Sequence, residues 1–173
     1  VIAVGIDPSL TCSGVAIIDG NGAVITRRHK TAPAGKSLKA RRGRLRDAVA
    51  GILKTVPAHV DVSVIEVPAF GRQFGALGER VALYWWLVDQ LMARGPVVEV
   101  SPSQRAKLAT GNGASKKPEV VAAMRDRFPS VWVPDDNVAD ALALAQAGAH
   151  WLSPDSFPLT PAQSVAFARL DWA

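Results

Sequence analysis

Positions 1–30 constrain the fold more than any other part of the chain, because they hold three strand-forming runs in succession with a turn that dictates how two of them join. Residues 1–7, 13–19 and 22–30 are the runs, and Asp19-Gly20-Asn21-Gly22 between the last two is a tight-turn sequence. An antiparallel hairpin is predicted there. Beyond position 35 the pattern changes. Helices are predicted over 38–56, where Leu45, Val49, Ile52 and Leu53 recur at helical spacing, and over 77–93, stopped by Gly95-Pro96. Between them 60–67 reads as a central parallel strand, apolar on both faces, and 97–100 as a fifth strand. Ser101-Pro102-Ser103 opens a short helix through Leu108, a glycine-bearing loop covers 111–115, and helices are predicted over 117–128 and 134–151. Three antiparallel-type strands followed by alternating helix and strand predict an α/β fold, a mixed five-stranded sheet flanked by helices. A chain of 173 residues is long enough for one core, assigned to 1–152. The proline-rich tail 153–173 is expected to hold a short helix near 162–170 and to pack on the domain or on a partner.

The net charge of +5 and isoelectric point near 9.8 point to an anionic partner. Between positions 27 and 46 stand Arg27, Arg28, Lys30, Lys36, Lys39, Arg41, Arg42, Arg44 and Arg46, with no acid among them. Such a run repels itself unless a polyanion neutralises it, which predicts a nucleic-acid-binding face that includes Arg41, Arg42 and Arg44. Cys12 is the sole cysteine, so neither an internal disulfide nor a thiolate metal cluster can form. With 49% apolar and 20% charged residues, no apolar stretch of roughly 18 residues and no secretory signal pattern, a cytosolic globular protein without a membrane role is expected.

Four acids occupy positions from which a folded chain presents carboxylates. Asp7 ends the apolar run 1–6 and opens the turn Asp7-Pro8-Ser9. Glu66 ends the run 62–65, with Pro68 blocking continuation of a paired strand. Asp136 and Asp140 are four apart at the start of an alanine- and leucine-rich helix, so both point off one face. Hard divalent cations such as Mg2+ take oxygen-only donor sets of this kind, completed by phosphate and water. A cation-dependent nuclease is therefore predicted; the bland reading is that Asp135 and Asp136 cap a helix and Asp7 starts a turn.

The segments Gly5-Ile6-Asp7-Pro8 with Gly14-Val15-Ala16, Val64-Ile65-Glu66, Ser101-Pro102-Ser103-Gln104, Gly111-Asn112-Gly113-Ala114-Ser115-Lys116-Lys117 and Asp140-Ala141-Leu142-Ala143-Leu144-Ala145, in that order and spacing, resemble the RuvC-type Holliday-junction resolvases of the RNase H-like superfamily. The resemblance covers 1–151 and is nearest to small phage-type members. It implies an RNase H-like fold and a homodimer formed through the helix over 81–91, where Tyr84, Trp85 and Trp86 add apolar surface. It further implies Mg2+-dependent nicking of symmetrically related strands of a four-way DNA junction, with two ions per site and Mn2+ as a substitute. Asp7 would bridge both ions, Glu66 and Asp140 would hold one each, and Asp136 would complete the set. A phage-encoded protein acting in the host cytoplasm fits this resemblance.

Two positions depart from the family pattern. Ser9 stands where a glycine is usual, and Asn137 stands three residues before the last acid, where the family has an acid or histidine. Asp136 is the candidate replacement, and Asn137 a weaker ligand through its carbonyl oxygen. Lys107, Lys116 and above all Lys117 are candidates for contacting phosphates across a loop that Gly111 and Gly113 leave free to close. Phe70 and Phe74 are candidates for stacking on an unpaired base, Phe70 being more similar to the family's wedge aromatic. Competing expectations are a nuclease of broader fork, flap or hybrid specificity and a non-catalytic junction-binding protein. The Gly5-to-Ser9 turn with Gly14 also resembles an actin-like phosphate loop, but 173 residues do not supply that fold's second lobe.

Overall fold

The computed structural model describes residues 1–33, 35–69 and 76–172. Five strands, β1 (Ile2–Asp7), β2 (Cys12–Asp19), β3 (Val24–Lys30), β4 (Val62–Glu66) and β5 (Val97–Val100), form one sheet in the order β3-β2-β1-β4-β5. The β1–β2 and β2–β3 pairs are antiparallel, while β1–β4 and β4–β5 are parallel. The predicted hairpin is closed by Asp19, whose Oδ1 accepts the Asn21 and Ala23 amides at 2.9 Å each, and Gly22 supplies the positive φ of 80°. Six helices alternate with or follow the strands among the described residues: α1 (Leu38–Thr55), α2 (Leu77–Met92), α3 (Pro102–Thr110), α4 (Lys117–Arg127), α5 (Asp136–Leu152) and α6 (Pro161–Phe167). None is long and apolar enough to cross a membrane. The architecture is the predicted mixed five-stranded RNase H-like α/β fold.

The period-2 pleat divides the strand residues between two cores. Val4, Ile6, Val15, Ile17 and Ile65 meet α1 and α2, whereas Ala3, Ala16, Ile18, Val62, Val64, Val98 and Val100 meet α5 and the helices around it. The α5 side is packed backbone to backbone. A Cβ on Gly5 would lie 2.0 Å from the Ala141 carbonyl oxygen, and one on Gly14 would lie 1.9 Å from that of Asn137. Glycine in the strands and alanine in the helix are therefore one feature: they let α5 lie directly on β1 and β2. Every residue of α5 from Val138 to Ala149 is buried.

Three sequence expectations change in detail. The basic run is not free of acids in space, because Arg28 pairs with Asp135 at 2.8 Å and Arg41 with Glu79, both contributed by distant segments. The 111–115 loop is tied rather than free: Thr110 Oγ1 receives the Asn112 amide at 3.0 Å and shares a 2.9 Å hydrogen bond with the Ser115 hydroxyl. Helix α2 sorts its aromatic residues, with Tyr84 inside the core and Trp85 and Trp86 outside. The tail returns to the body, where buried Gln163 of α6 donates to the Leu108 and Ala109 carbonyls at the end of α3 at 2.7 and 3.2 Å. Trp151 and Trp172 stack beside it, 5.5 Å between ring centres.

Candidate active site

The parallel register sets Asp7 and Glu66 at the same end of neighbouring strands, since Ile6 is level with Ile65 and each acid follows as the last strand residue. The close descent of α5 onto β1 and β2 brings its first turns over that end. Asp135 caps the helix, its Oδ1 accepting the Val138 amide at 3.1 Å, so Asp136 is left to face the cleft. Asp7, Glu66, Asp136, Asn137, Asp140, Arg105 and Lys117 all line one cleft of about 540 Å³. All four predicted acids are thus brought together from separate parts of the chain.

Electrostatics follow depth. Burial raises the Asp7 carboxyl well above the usual range, and the charges of Glu66 and Asp140 raise it further. Asp140 is pushed up to about 7 by burial; the Arg105 guanidinium opposes that shift and Glu66 adds to it. Asn137 lies against Asp7. With its amide oriented to satisfy both contacts, its nitrogen donates to Asp7 Oδ2 at 3.2 Å and to the Cys12 carbonyl at 3.0 Å. Asn137 therefore supports the first acid as a hydrogen-bond donor.

Arg105 is the residue that sequence reasoning missed. Its Nε donates to Glu66 Oε2 at 2.7 Å and its NH1 lies 2.8 Å from Asp140 Oδ1, with the side chain only 12% exposed. Burial works against its charge, and Asp140 and Glu66 more than restore it. The placement is local in origin. Helix α3 starts directly after β5, whose Val100 is level with Glu66, and a reciprocal cap joins Ser101 Oγ to the Gln104 amide and Gln104 Oε1 to the Ser101 amide. That cap aims the first turn of α3 at the strand ends. Lys107, two residues on, is rotated by about 200° around the helix and does not line the cleft; it lies under the 111–115 loop instead, 3.9 Å from a Cβ built on Gly113.

The other candidates are dispersed. Lys117 pairs with Asp136 at the rim, and this hydrogen bond holds the ammonium pKa above its ordinary value. Lys116 is exposed at the start of α4, where its amide donates to Glu119 at 2.7 Å. Arg41, Arg42 and Arg44 lie in the first half of α1; Arg42 is exposed and Arg44 donates to Thr31 at 3.1 Å. Phe70 and Phe74 fall outside the described residues.

The donor set suits a hard cation. It offers only carboxylate oxygens at the cleft floor, and Asp140 Oδ1, though close to Arg105, is buried without a directed hydrogen bond. Among the described residues no three acidic, histidine or cysteine side chains form a ready cage, so an ion held here would need phosphate or water to complete its coordination.

No family model matches the chain. It is 27% identical over 150 residues to the crossover junction endodeoxyribonuclease RuvC of Parvibaculum lavamentivorans, covering 84% of this chain and 85% of that one. It is 28% identical over 153 residues to that of Rhodopirellula baltica, covering 86% and 85%. The chain is thus similar to RuvC proteins over most of its length. The RuvC structure from Thermus thermophilus superposes with a TM-score of 0.62 at 25% identity, over 84% of this chain and 91% of that protein. T. thermophilus RuvC in complex with Holliday junction substrate gives 0.57 at 25% identity, over 87% and 95%. Both matches extend the RuvC resemblance over most of the chain, at the level of an RNase H-like endonuclease.

Proposed function

We propose that this RuvC-like chain is a structure-selective DNA endonuclease that resolves four-way junctions by divalent-ion-dependent phosphodiester hydrolysis. The observation that carries the reading is the convergence of Asp7, Glu66, Asp136 and Asp140 on one cleft of a RuvC-like fold. Asp7, Asp140 and Glu66 would hold Mg2+ or Mn2+ at the cleft floor, with Asp136 completing the set from the rim. Two divalent ions held by these residues would supply a lowered pKa for the attacking water and charge stabilisation for the leaving oxygen. The chain itself supplies alignment. Asn137 fixes the Asp7 carboxylate through its amide, and the Ser101–Gln104 cap fixes the turn that borders Glu66. Lys117, 74% exposed on a flexible stem, would exchange Asp136 for a phosphate oxygen as the backbone enters.

DNA would approach along the first half of α1. Arg44 of that helix is tethered to Thr31, whose hydroxyl in turn donates to Leu10 in the turn that follows Asp7. The exposed Lys36, Lys39 and Arg42 continue the positive surface away from the cleft. Displacement of condensed counterions from DNA by this surface makes binding steeply salt-dependent. A homodimer through α2 is part of the proposal: Trp85, Trp86 and Met92 are exposed on it at 59, 37 and 64%, and a two-fold pair matches a two-fold junction.

The test is cleavage of a mobile four-way junction with mapped ends, in Mg2+ and in Mn2+, for the natural chain and for Glu66→Gln. Paired nicks at symmetrical positions, absent from the variant, are the expected result. Equal cutting of forks and flaps would move the assignment to a broader branched-DNA nuclease. Binding without cutting in either ion would make it a junction-binding protein.

A further inference from the structure

The cleft contains a positive group that no ion-binding reading of its acids uses. Arg105 spans the floor, bonded to Glu66 of β4 and paired with Asp140 of α5. The two oxygens it engages, Glu66 Oε2 and Asp140 Oδ1, are among those the nuclease reading assigns to a divalent ion. The guanidinium and an ion compete for them. Both are cations, and two positive charges drawn to the same oxygens repel each other.

We propose that Arg105 is a positioning residue that holds the place of the divalent ion: it keeps Glu66 and Asp140 together in the metal-free protein and is displaced from them when the ion enters. The inference rests on the nuclease reading of the same cleft. Its geometry distinguishes it from an ordinary structural ion pair. A buried tie is normally saturated on both sides, whereas Asp140 Oδ1 has the Arg105 charge at 2.8 Å without a directed hydrogen bond and is left as an unfilled acceptor.

Displacement needs little rearrangement. The backbone of the first turn of α3 is held by the Ser101–Gln104 cap and by the Arg105 amide donating to the Ser101 carbonyl at 2.9 Å. Only side-chain torsions of Arg105 have to change, and the cleft it lines has a volume of about 540 Å³. Holding the site in an ion-excluding arrangement weakens apparent ion affinity by the fraction of time the acids are released.

The decisive experiment is calorimetric titration of Mn2+ alone into DNA-free protein, comparing the natural chain with Arg105→Gln and Arg105→Lys, each checked for a native circular dichroism spectrum. Removing the competing charge is expected to lower the Mn2+ Kd by about tenfold in Arg105→Gln, as for a receptive state populated about one tenth of the time. Arg105→Lys, which keeps the charge but loses the two-pronged grip, is expected to fall between them. A purely structural tie predicts the opposite, because disordered acids bind the ion more weakly. Unchanged or weaker binding in both variants overturns the inference while leaving the nuclease reading intact. No binding by any of the three proteins overturns both. Should Arg105→Gln not fold, Arg105→Lys decides alone, by tighter binding than the natural chain or by its absence.

Discussion

The cleft holds two cation–carboxylate arrangements of the same chemistry and opposite character. At the floor, Arg105, Glu66 and Asp140 are 12, 14 and 7% exposed; at the rim, Lys117 is 74% exposed against Asp136 at 24%. Water screens the rim pair, so its contribution to stability is within about 1 kcal/mol and its partners exchange readily. The floor group is withdrawn from water. Breaking such a group on one side costs several kcal/mol, because a charge is left buried without compensation. The difference teaches that depth decides how firmly each pair is held; on the proposed reading it also separates the acids that would hold an ion from the cation that would meet DNA.

The largest expected effect tests the floor. Asp7→Asn or Glu66→Gln should lower single-turnover junction cleavage by roughly a thousandfold, the scale of losing one group from a concerted site. A greater loss from Asp136→Asn would reverse the ranking of floor and rim.

The second prediction concerns protons. The folded-state value of Asp140, about 7, lies above its unfolded value, so folding favours the protonated form. Its contribution to stability is fully present below about pH 4 and is lost as pH rises through about 7. The melting temperature of EDTA-treated protein should accordingly fall by roughly 5 °C between pH 5 and pH 8, an effect that Asp140→Asn reduces and that Asp7, raised in the same direction, keeps from vanishing. Saturating Mg2+ should flatten the slope, since an ion replaces the proton as the compensating charge. A flat profile without metal would place Asp140 in a less buried setting than the floor.

A smaller effect probes how the floor is held. Gln163→Ala removes the donor shared by two buried carbonyls at the end of α3 and should cost about 1–3 kcal/mol in denaturant unfolding. The smallest effect belongs to the rim. Lys117→Ala should leave the melting temperature within about 2 °C and reduce cleavage no more than about tenfold, and the deficit should shrink as salt is raised. A salt-independent deficit would mean that Lys117 acts as a buried group does.

Legibility in the sequence followed locality. The hairpin at Asp19-Gly20-Asn21-Gly22, the strand-ending Asp7 and Glu66, and the spacing of Asp136 and Asp140 depend on neighbours within a few residues, and each could be read directly. Arg105 could not. Its meaning depends on which way α3 is turned, and the basic residue chosen from that helix, Lys107, lies on the other side of it. The same holds for Arg28 and Arg41, which meet Asp135 and Glu79 from far along the chain. It holds too for the tail, whose Gln163 finds carbonyls more than fifty positions away.

By itself the sequence determined the order of strands and helices, the mixed sheet and the acids at element ends, because backbone propensity, turn chemistry and side-chain period act over short range. Only the tertiary structure decided that the acids share one cleft, that Asn137 donates to Asp7, and that Arg105 rather than Lys107 stands among them. Those outcomes depend on the depth to which α5 descends on Gly5 and Gly14 and on the rotation of α3. Both are settled by packing between segments distant in the chain, where no local pattern carries the information.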